Sequence, residues 1–394
     1  MPSQALLLSP EVPFPTIGGG ALRTASLFEF LARHFTLDVI TFRQPHDPDP
    51  RELFPLHRIR ALDTIDLPFH SKSAPSRVIR NLKRAALNRP PLLDRFSGFD
   101  PQVANIIAGK SYDLGVIEHF WCAPYQQQLR QVCRHLVLDL HNVESDWHST
   151  AAKAASGPAR ILHRRFANAY EALERDLLPK FDTVLTTSET DRARAKSLAP
   201  NTSFIVFPNA IPFVPLPSKS EQDEIIFTGN LEYEPNISAI RWFANEIWPT
   251  VRSAFPNLTW VIAGKNAASI RTLVSHHPGI HLCQSLPNAI EQISRAKLAV
   301  VPLLAGSGTR IKILEAWAAG TAVVSTSLGA QGLLATSGRE LLLADSASDF
   351  SGSVINLLRN PAERIRIAQA GRQAYEMSYT WQHAWKQLTF LIGV

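Results

Sequence analysis

A chain of 394 residues exceeds what one ordinary hydrophobic core serves, and its length implies two domains. Charged residues at 19% and a hydrophobic set at 45% give the composition of a folded globular protein, and no run of eighteen or more apolar residues is present to cross a bilayer. The net charge of +6 and pI near 9.3 favour acidic partners (nucleotides, phospholipid headgroups or nucleic acid) without choosing among them.

In chain order, Leu6 to Leu8 reads as a short strand with neither a basic leader nor a small-residue cleavage site, so the cytoplasm is the expected location. The loop Glu11 to Gly20 follows, carrying Pro13, Pro15 and the glycines Gly18, Gly19 and Gly20. A helix from Ala21 to Arg33 and a strand from Leu37 to Thr41 complete a βαβ unit. The glycines lack the GxGxxG spacing and Asp38 is not at the acidic position of a dinucleotide site, which argues against a nicotinamide or flavin cofactor. With Arg23 in the next turn, the loop is expected to shape a cleft wall or to meet a substrate phosphate.

Lys72, Arg77, Arg80, Lys83, Arg84, Arg89 and Arg95 concentrate positive charge between Ser71 and Phe96, with Asp94 the one acid. Helical spacing from Ser76 to Asn88 puts Val78, Ile79, Leu82 and Ala86 on one side and arginines on the other. Such a helix either lies on an anionic membrane surface or is an ordinary solvated face. No aromatic cluster or zinc spacing accompanies the charge, so nucleic acid is not expected as a partner. Cys122, Cys133 and Cys283 are too few and scattered for a disulfide framework or a zinc cluster.

Strands are predicted at Asp113–Ile117, Leu136–Leu140, Asp182–Thr186 and Ser203–Phe207. Glu118 and His119 end the first; Asp139, His141, Asn142 and Glu144 crowd the end of the second. Carboxylates fix an imidazole's tautomer and tune its pKa, which makes His141 a candidate for catalysis and Glu118 a candidate cleft residue. The proline-rich stretch Phe207 to Pro217 reads as an extended linker.

The alternation then restarts: strand Glu224–Thr228, turn Gly229 and Asn230, helix Asn236–Ala254, strand Leu258–Ala263, turn Gly264 and Lys265, strand Ile280–Cys283 and turn Ser285. The apolar run Leu298 to Leu303 leads into Gly306, Ser307 and Gly308, with Thr309 capping a helix that stops at Gly320. A strand, a glycine-rich turn and a helix N-terminus aim backbone N–H groups and a positive dipole at one spot, a place for phosphate. Arg310 and Lys312 add two cations there, and Glu315 adds a carboxylate suited to vicinal sugar hydroxyls. A strand at Ala322–Ser325 and two or three helices after Asp349 complete a second doubly wound α/β sheet.

In the order PFPTIGGGALR, LVLDLHNVESD, FTGNLEYEPN, GSGTRIKILEAWAAGTAVVST, GAQGL and YTW, the chain resembles the retaining glycosyltransferases of family 4 (group 1) over nearly its whole length. The resemblance implies the GT-B architecture, in which two doubly wound Rossmann-like domains face each other across a cleft. It also implies acceptor binding by residues 1–207, a linker at 208–221 and nucleotide-sugar binding by residues 222–375. A C-terminal helix, 376–394, could pack back on the first domain. Donor contacts are then expected from Gly229, Asn230, Gly264, Lys265, Ser285, Ser307, Gly308, Thr309 and Glu315, and catalysis from His141, Arg310 and Lys312. Gly18, Gly19, Gly20, Arg23 and Glu118 are expected in the acceptor or cleft loop. Of the family's two glutamates, which seven residues separate, the second falls on Glu315 and the first on Ser307. The family's Arg and Lys after the first strand of the second domain are also absent, with Arg310, Lys312 and Lys265 as the replacements.

No metal and no cofactor beyond the nucleotide-sugar is expected, because the second domain lacks a DxD-like acidic pair at a strand end and cations of the chain can neutralise a leaving diphosphate. A glycan or a lipid-linked acceptor is expected as partner, with peripheral attachment to the inner face of the membrane as an option opened by the basic helix. A nucleotide-sugar sensor without catalysis and a sugar-nucleotide epimerase are the alternatives on the same fold.

Overall fold

The computed structural model describes residues 3–16, 18–71, 73–218, 220–284, 289–305 and 311–393. It divides into two compact units, Met1–Pro208 with Trp385–Val394, and Asn209–Ala384.

The first unit holds β1 (Gln4–Ser9), β2 (Thr36–Arg43), β3 (Ala61–Asp66), β4 (Tyr112–Glu118), β5 (Cys133–Asp139), β6 (Thr183–Thr186) and β7 (Ser203–Val206). Among the described residues they form a seven-stranded sheet in the order β3-β2-β1-β4-β5-β6-β7, every pair parallel. β1 and β4 are almost wholly buried apolar runs, as a parallel sheet covered on both faces requires. β3 was not legible in the sequence: at the sheet's edge, ALDTID is mostly half-buried and has no continuous apolar run. The last segment of the unit is a 3-10 helix, Trp385–Gly393, rather than part of a long C-terminal α-helix. Trp385 anchors it by donating from Nε1 to the carbonyl and hydroxyl oxygens of Ser26, both at 3.0 Å.

The second unit holds β8 (Gln222–Thr228), β9 (Thr259–Gly264), β10 (Ile280–Gln284), β11 (Ala296–Val301), β12 (Ala322–Ser325) and β13 (Leu342–Leu343), ordered β10-β9-β8-β11-β12-β13. The single helix expected over Asn236–Ala254 starts earlier and is interrupted: Glu234–Trp242 is α-helical, Phe243–Ile247 is a π turn, and Trp248–Ala254 resumes the α-helix. Pro249 is the cause. It has no N–H for a carbonyl four residues back, and its ring would strike that carbonyl, so the preceding turn widens.

The stretch read as an extended linker is held against this unit. Tyr375 Oη donates to the Pro212 carbonyl at 2.7 Å and accepts from Val214 N at 2.9 Å, while Arg372 Nη2 donates to the Val214 carbonyl at 2.8 Å. Both tyrosine and arginine lie on the Pro361–Ser378 helix.

Candidate active site

Strand order reverses between β1 and β4 in the first sheet and between β8 and β11 in the second, and open α/β sheets bind ligands outside the carboxyl ends of strands at such points. Both reversals carry residues singled out from the sequence.

In the first unit, Glu118 and Asp139 are register partners at the ends of β4 and β5. Arg23, from the Gly19–His34 helix, grips Asp139 with two donors, Nε to Oδ2 at 2.9 Å and Nη2 to Oδ1 at 2.5 Å. Its Nη1 donates to the Phe207 carbonyl at 2.5 Å, and the guanidinium lies 4.6 Å from the Phe207 ring centroid. Arg23 is only 2% exposed, so the expectation that it meets a substrate phosphate is corrected: a guanidinium buried on Asp139 is an internal counter-ion. Burial alone would raise the Asp139 pKa, but Arg23 and His141 outweigh it and hold the carboxyl below its usual range.

Glu118 behaves oppositely. Burial and then the charge of Asp139 push it up to about 8, against the opposing pull of the Ser9 and Thr24 hydroxyls and of Arg23. Two adjacent buried carboxyls do not both ionise, and the one facing the guanidinium takes the charge. His141 is buried with Nε2 3.4 Å from Asp139 Oδ2, and burial outweighs the favourable carboxylate and lowers its pKa. Gly20 abuts the ring's other nitrogen: a methyl group at Gly20 would lie 3.8 Å from Nδ1. Gly18 precedes the helix with φ +100°, a conformation open to glycine. Glu118, Asp139 and His141 offer donor atoms within 4.8 Å of one another, a metal-like spacing. The cation they hold is Arg23, which engages both Asp139 oxygens. Glu144, one of the polar groups after β5, accepts a hydrogen bond from Trp121 Nε1 at 3.0 Å.

In the second unit the reversal is shaped by missing side chains. A Cβ on Gly264 would lie 1.7 Å from the Gly229 carbonyl oxygen, so β9 must end in glycine for the turn after β8 to pass. A Cβ on Gly229, whose φ is +153°, would lie 2.8 Å from Asn236 Nδ2 and 3.0 Å from Lys312 Nζ. Asn236 organises the corner by donating to the Asn230 carbonyl at 2.7 Å and accepting from Lys312 Nζ at 3.0 Å. The Lys312 ammonium also sits 5.0 Å from the Phe227 ring centroid. Asn236 was missed as a site residue, although it closes the FTGNLEYEPN motif. Glu315, one turn beyond Lys312 on the Ile311–Ala318 helix, is pushed up to about 7 by burial, with Lys312 opposing. Lys265 is exposed beside Gly264. Ser285, Ser307, Gly308, Thr309 and Arg310 lie outside the described residues.

Two parallel sheets of this order, each with ligand-type loops at its reversal, define the GT-B class of glycosyltransferase folds. Residues 222–360, within the second unit, match the family model described as glycosyl transferases group 1, and this match together with the GT-B fold indicates a glycosyltransferase. It is similar to an uncharacterized 44.6 kDa protein in the cps region of Klebsiella pneumoniae, 23% identical over 400 residues covering 93% of this chain and 94% of the relative. Among solved structures, sucrose-phosphate synthase from Thermosynechococcus elongatus superposes with a TM-score of 0.73 at 17% identity, over 98% of both chains. A mutant of TarM from S. aureus, in complex with Fondaparinux, α-GlcNAc-glycerol and UDP, does so with a TM-score of 0.70 at 10% identity over 100% of both.

Proposed function

We propose that this protein transfers a sugar from a nucleoside-diphosphate sugar to a glycan or lipid-linked acceptor, with retention at the anomeric carbon and without a metal ion. The observation that carries the reading is the corner around Gly229, Gly264 and Lys312, where backbone space and one oriented ammonium meet at the sheet's reversal. Breaking the bond to a diphosphate concentrates negative charge on the leaving group, and a cation already held in place stabilises it without reorganising. Lys312 supplies that charge, joined by Arg310 in the sequence assignment, while Glu315 holds ribose hydroxyls. The complex of TarM, which has the same fold, with UDP supports a nucleotide donor. His141, kept neutral beside Asp139, meets the transferred sugar or the acceptor.

The test is to incubate the full chain with UDP-, GDP- and ADP-sugars, with and without a bacterial lipid extract, in EDTA. Release of nucleoside diphosphate only with extract, and a product of unchanged anomeric configuration by NMR, is the expected outcome. Interconversion of the nucleotide-sugar without extract would make the protein an epimerase; dependence on added magnesium or manganese would reject the metal-free step.

A membrane-attached acceptor is favoured by the Ala74–Ala86 helix. Its apolar residues point outward: Val78 is 55%, Ile79 68% and Leu82 63% exposed, among the exposed cations Lys83 and Arg89. The inward face holds Arg84, whose Nε donates to Asp94 Oδ2 at 2.7 Å. No described helix is long and apolar enough to cross a membrane, so this amphipathic face is the feature suited to lie on one. Co-sedimentation with phosphatidylglycerol vesicles should fall several-fold in an Ile79→Ser, Leu82→Ser variant; unchanged binding would leave the helix a solvated face.

A further inference from the structure

Four aromatic rings run in sequence beneath the corner that holds His141. The Trp121 ring is stacked with Phe96 at a centroid distance of 5.9 Å and an interplanar angle of 10°, and with His119 at 4.1 Å and 15°. His119 in turn lies against His141, centroids 3.5 Å apart and planes inclined by 30°. His119 has φ +60°, a backbone conformation uncommon for a residue with a side chain, and such conformations persist where the surroundings over-determine them. The rings packed on it are those surroundings. At the far end, Trp121 is held in its plane by donating from Nε1 to Glu144 Oε1 at 3.0 Å. Glu144 is buried and opens the Glu144–Ala154 helix.

We propose that Glu144 is a positioning residue for His141, acting through the indole of Trp121 and the imidazole of His119. Asp139 lies 3.4 Å from one edge of the His141 ring, and an edge contact by itself does not set the tilt of the ring plane. Its face is set by His119, and His119 is kept in place by Trp121. Burial and the neighbouring Glu174 push the Glu144 carboxyl up to about 8, so it is protonated near neutral pH and serves Trp121 as an uncharged acceptor. An amide oxygen can do the same work. The functional consequence rests on the reading that His141 meets the transferred sugar or acceptor; the geometric link does not.

Two arms keep these apart. In full-length protein with labelled histidines, the His141 ring signals are assigned by their loss in His141→Gln. Glu144→Leu and Trp121→Phe, the second retaining a ring but no N–H, should both shift those signals, whereas Glu144→Gln should leave them at their wild-type positions. With the nucleotide-sugar found active in the screen above, the two disruptive variants should lower kcat about tenfold and leave donor KM within about twofold, and Glu144→Gln should restore kcat. Unmoved His141 signals in a folded Glu144→Leu or Trp121→Phe protein would overturn the proposal; should Glu144→Leu fail to fold, Trp121→Phe decides. Shifted signals with unchanged kcat would keep the positioning link and remove His141 from the reaction.

Discussion

At the ends of β4 and β5 the first unit buries an arginine, two carboxyls and two histidines against one another, whereas at the ends of β8 and β9 the second unit leaves out side chains and places one lysine beside the gap. In the first corner the charges are neutralised internally: Arg23 by Asp139, Glu118 by a proton, and the imidazoles by desolvation. In the second the ammonium is held by the Asn236 amide and lies against the Phe227 ring, with the Glu315 carboxyl one turn along the same helix. The lesson is that similar sheet reversals can carry opposite electrostatic roles. One buries its charged groups against one another, and the other sets an ammonium beside space that glycine leaves open at the sheet's reversal.

The contrast is broken hardest by removing Arg23. Arg23→Ala leaves Asp139 ionisable and buried without its partner, and should destabilise the protein by about 3–5 kcal/mol in urea unfolding. Arg23→Lys should recover only part of this, since an ammonium lacks the fork that engages both carboxylate oxygens. A loss below about 1 kcal/mol would show that water reaches this corner and that it is not internally neutralised.

Lys312→Ala should act on turnover instead. The melting temperature should hardly change, while kcat falls on the order of a hundredfold, as for loss of one preorganised donor to a developing negative charge. A full-rate variant would move the diphosphate contact to Arg310 or Lys265.

The smallest effect is the pH dependence from Glu118. Its ordinary value is 4.5 and its folded value about 8, so between these the unfolded chain has released a proton that the folded chain keeps. Stability from this group is therefore lost as pH rises through that window, by at most about 1.4 kcal/mol per pH unit. Glu118→Gln should flatten the fall in melting temperature between pH 5 and 8; an unchanged slope would place the titration elsewhere.

Much of the second unit's corner was legible because glycine-rich turns and the helix after β11 are local features, written in consecutive residues. Gly229, Gly264, Lys312 and Glu315 were read from strand, turn and helix alternation alone. Asn236 was not, since its value lies in reaching both Asn230 and Lys312, the latter 76 positions away. The first unit shows the limit more sharply. Glu118, Asp139 and His141 were recognised as polar groups at strand ends, but Arg23 was read as part of a loop that shapes a cleft wall or meets a substrate phosphate, because its partner lies 116 positions along the chain. The basic helix was recognised as amphipathic, yet its inward face holds Arg84 and its outward face Val78, Ile79 and Leu82.

By itself the sequence determined the alternating strands and helices, the turns that glycine permits and the positive balance of the chain, because backbone sterics and side-chain periodicity act within a few residues. Only the tertiary structure decided which charges meet. It gave Asp139 to Arg23 and a proton to Glu118, and it set Trp121 and His119 under His141. Burial and electrostatic pairing depend on distances across the fold, which spacing along the chain does not specify.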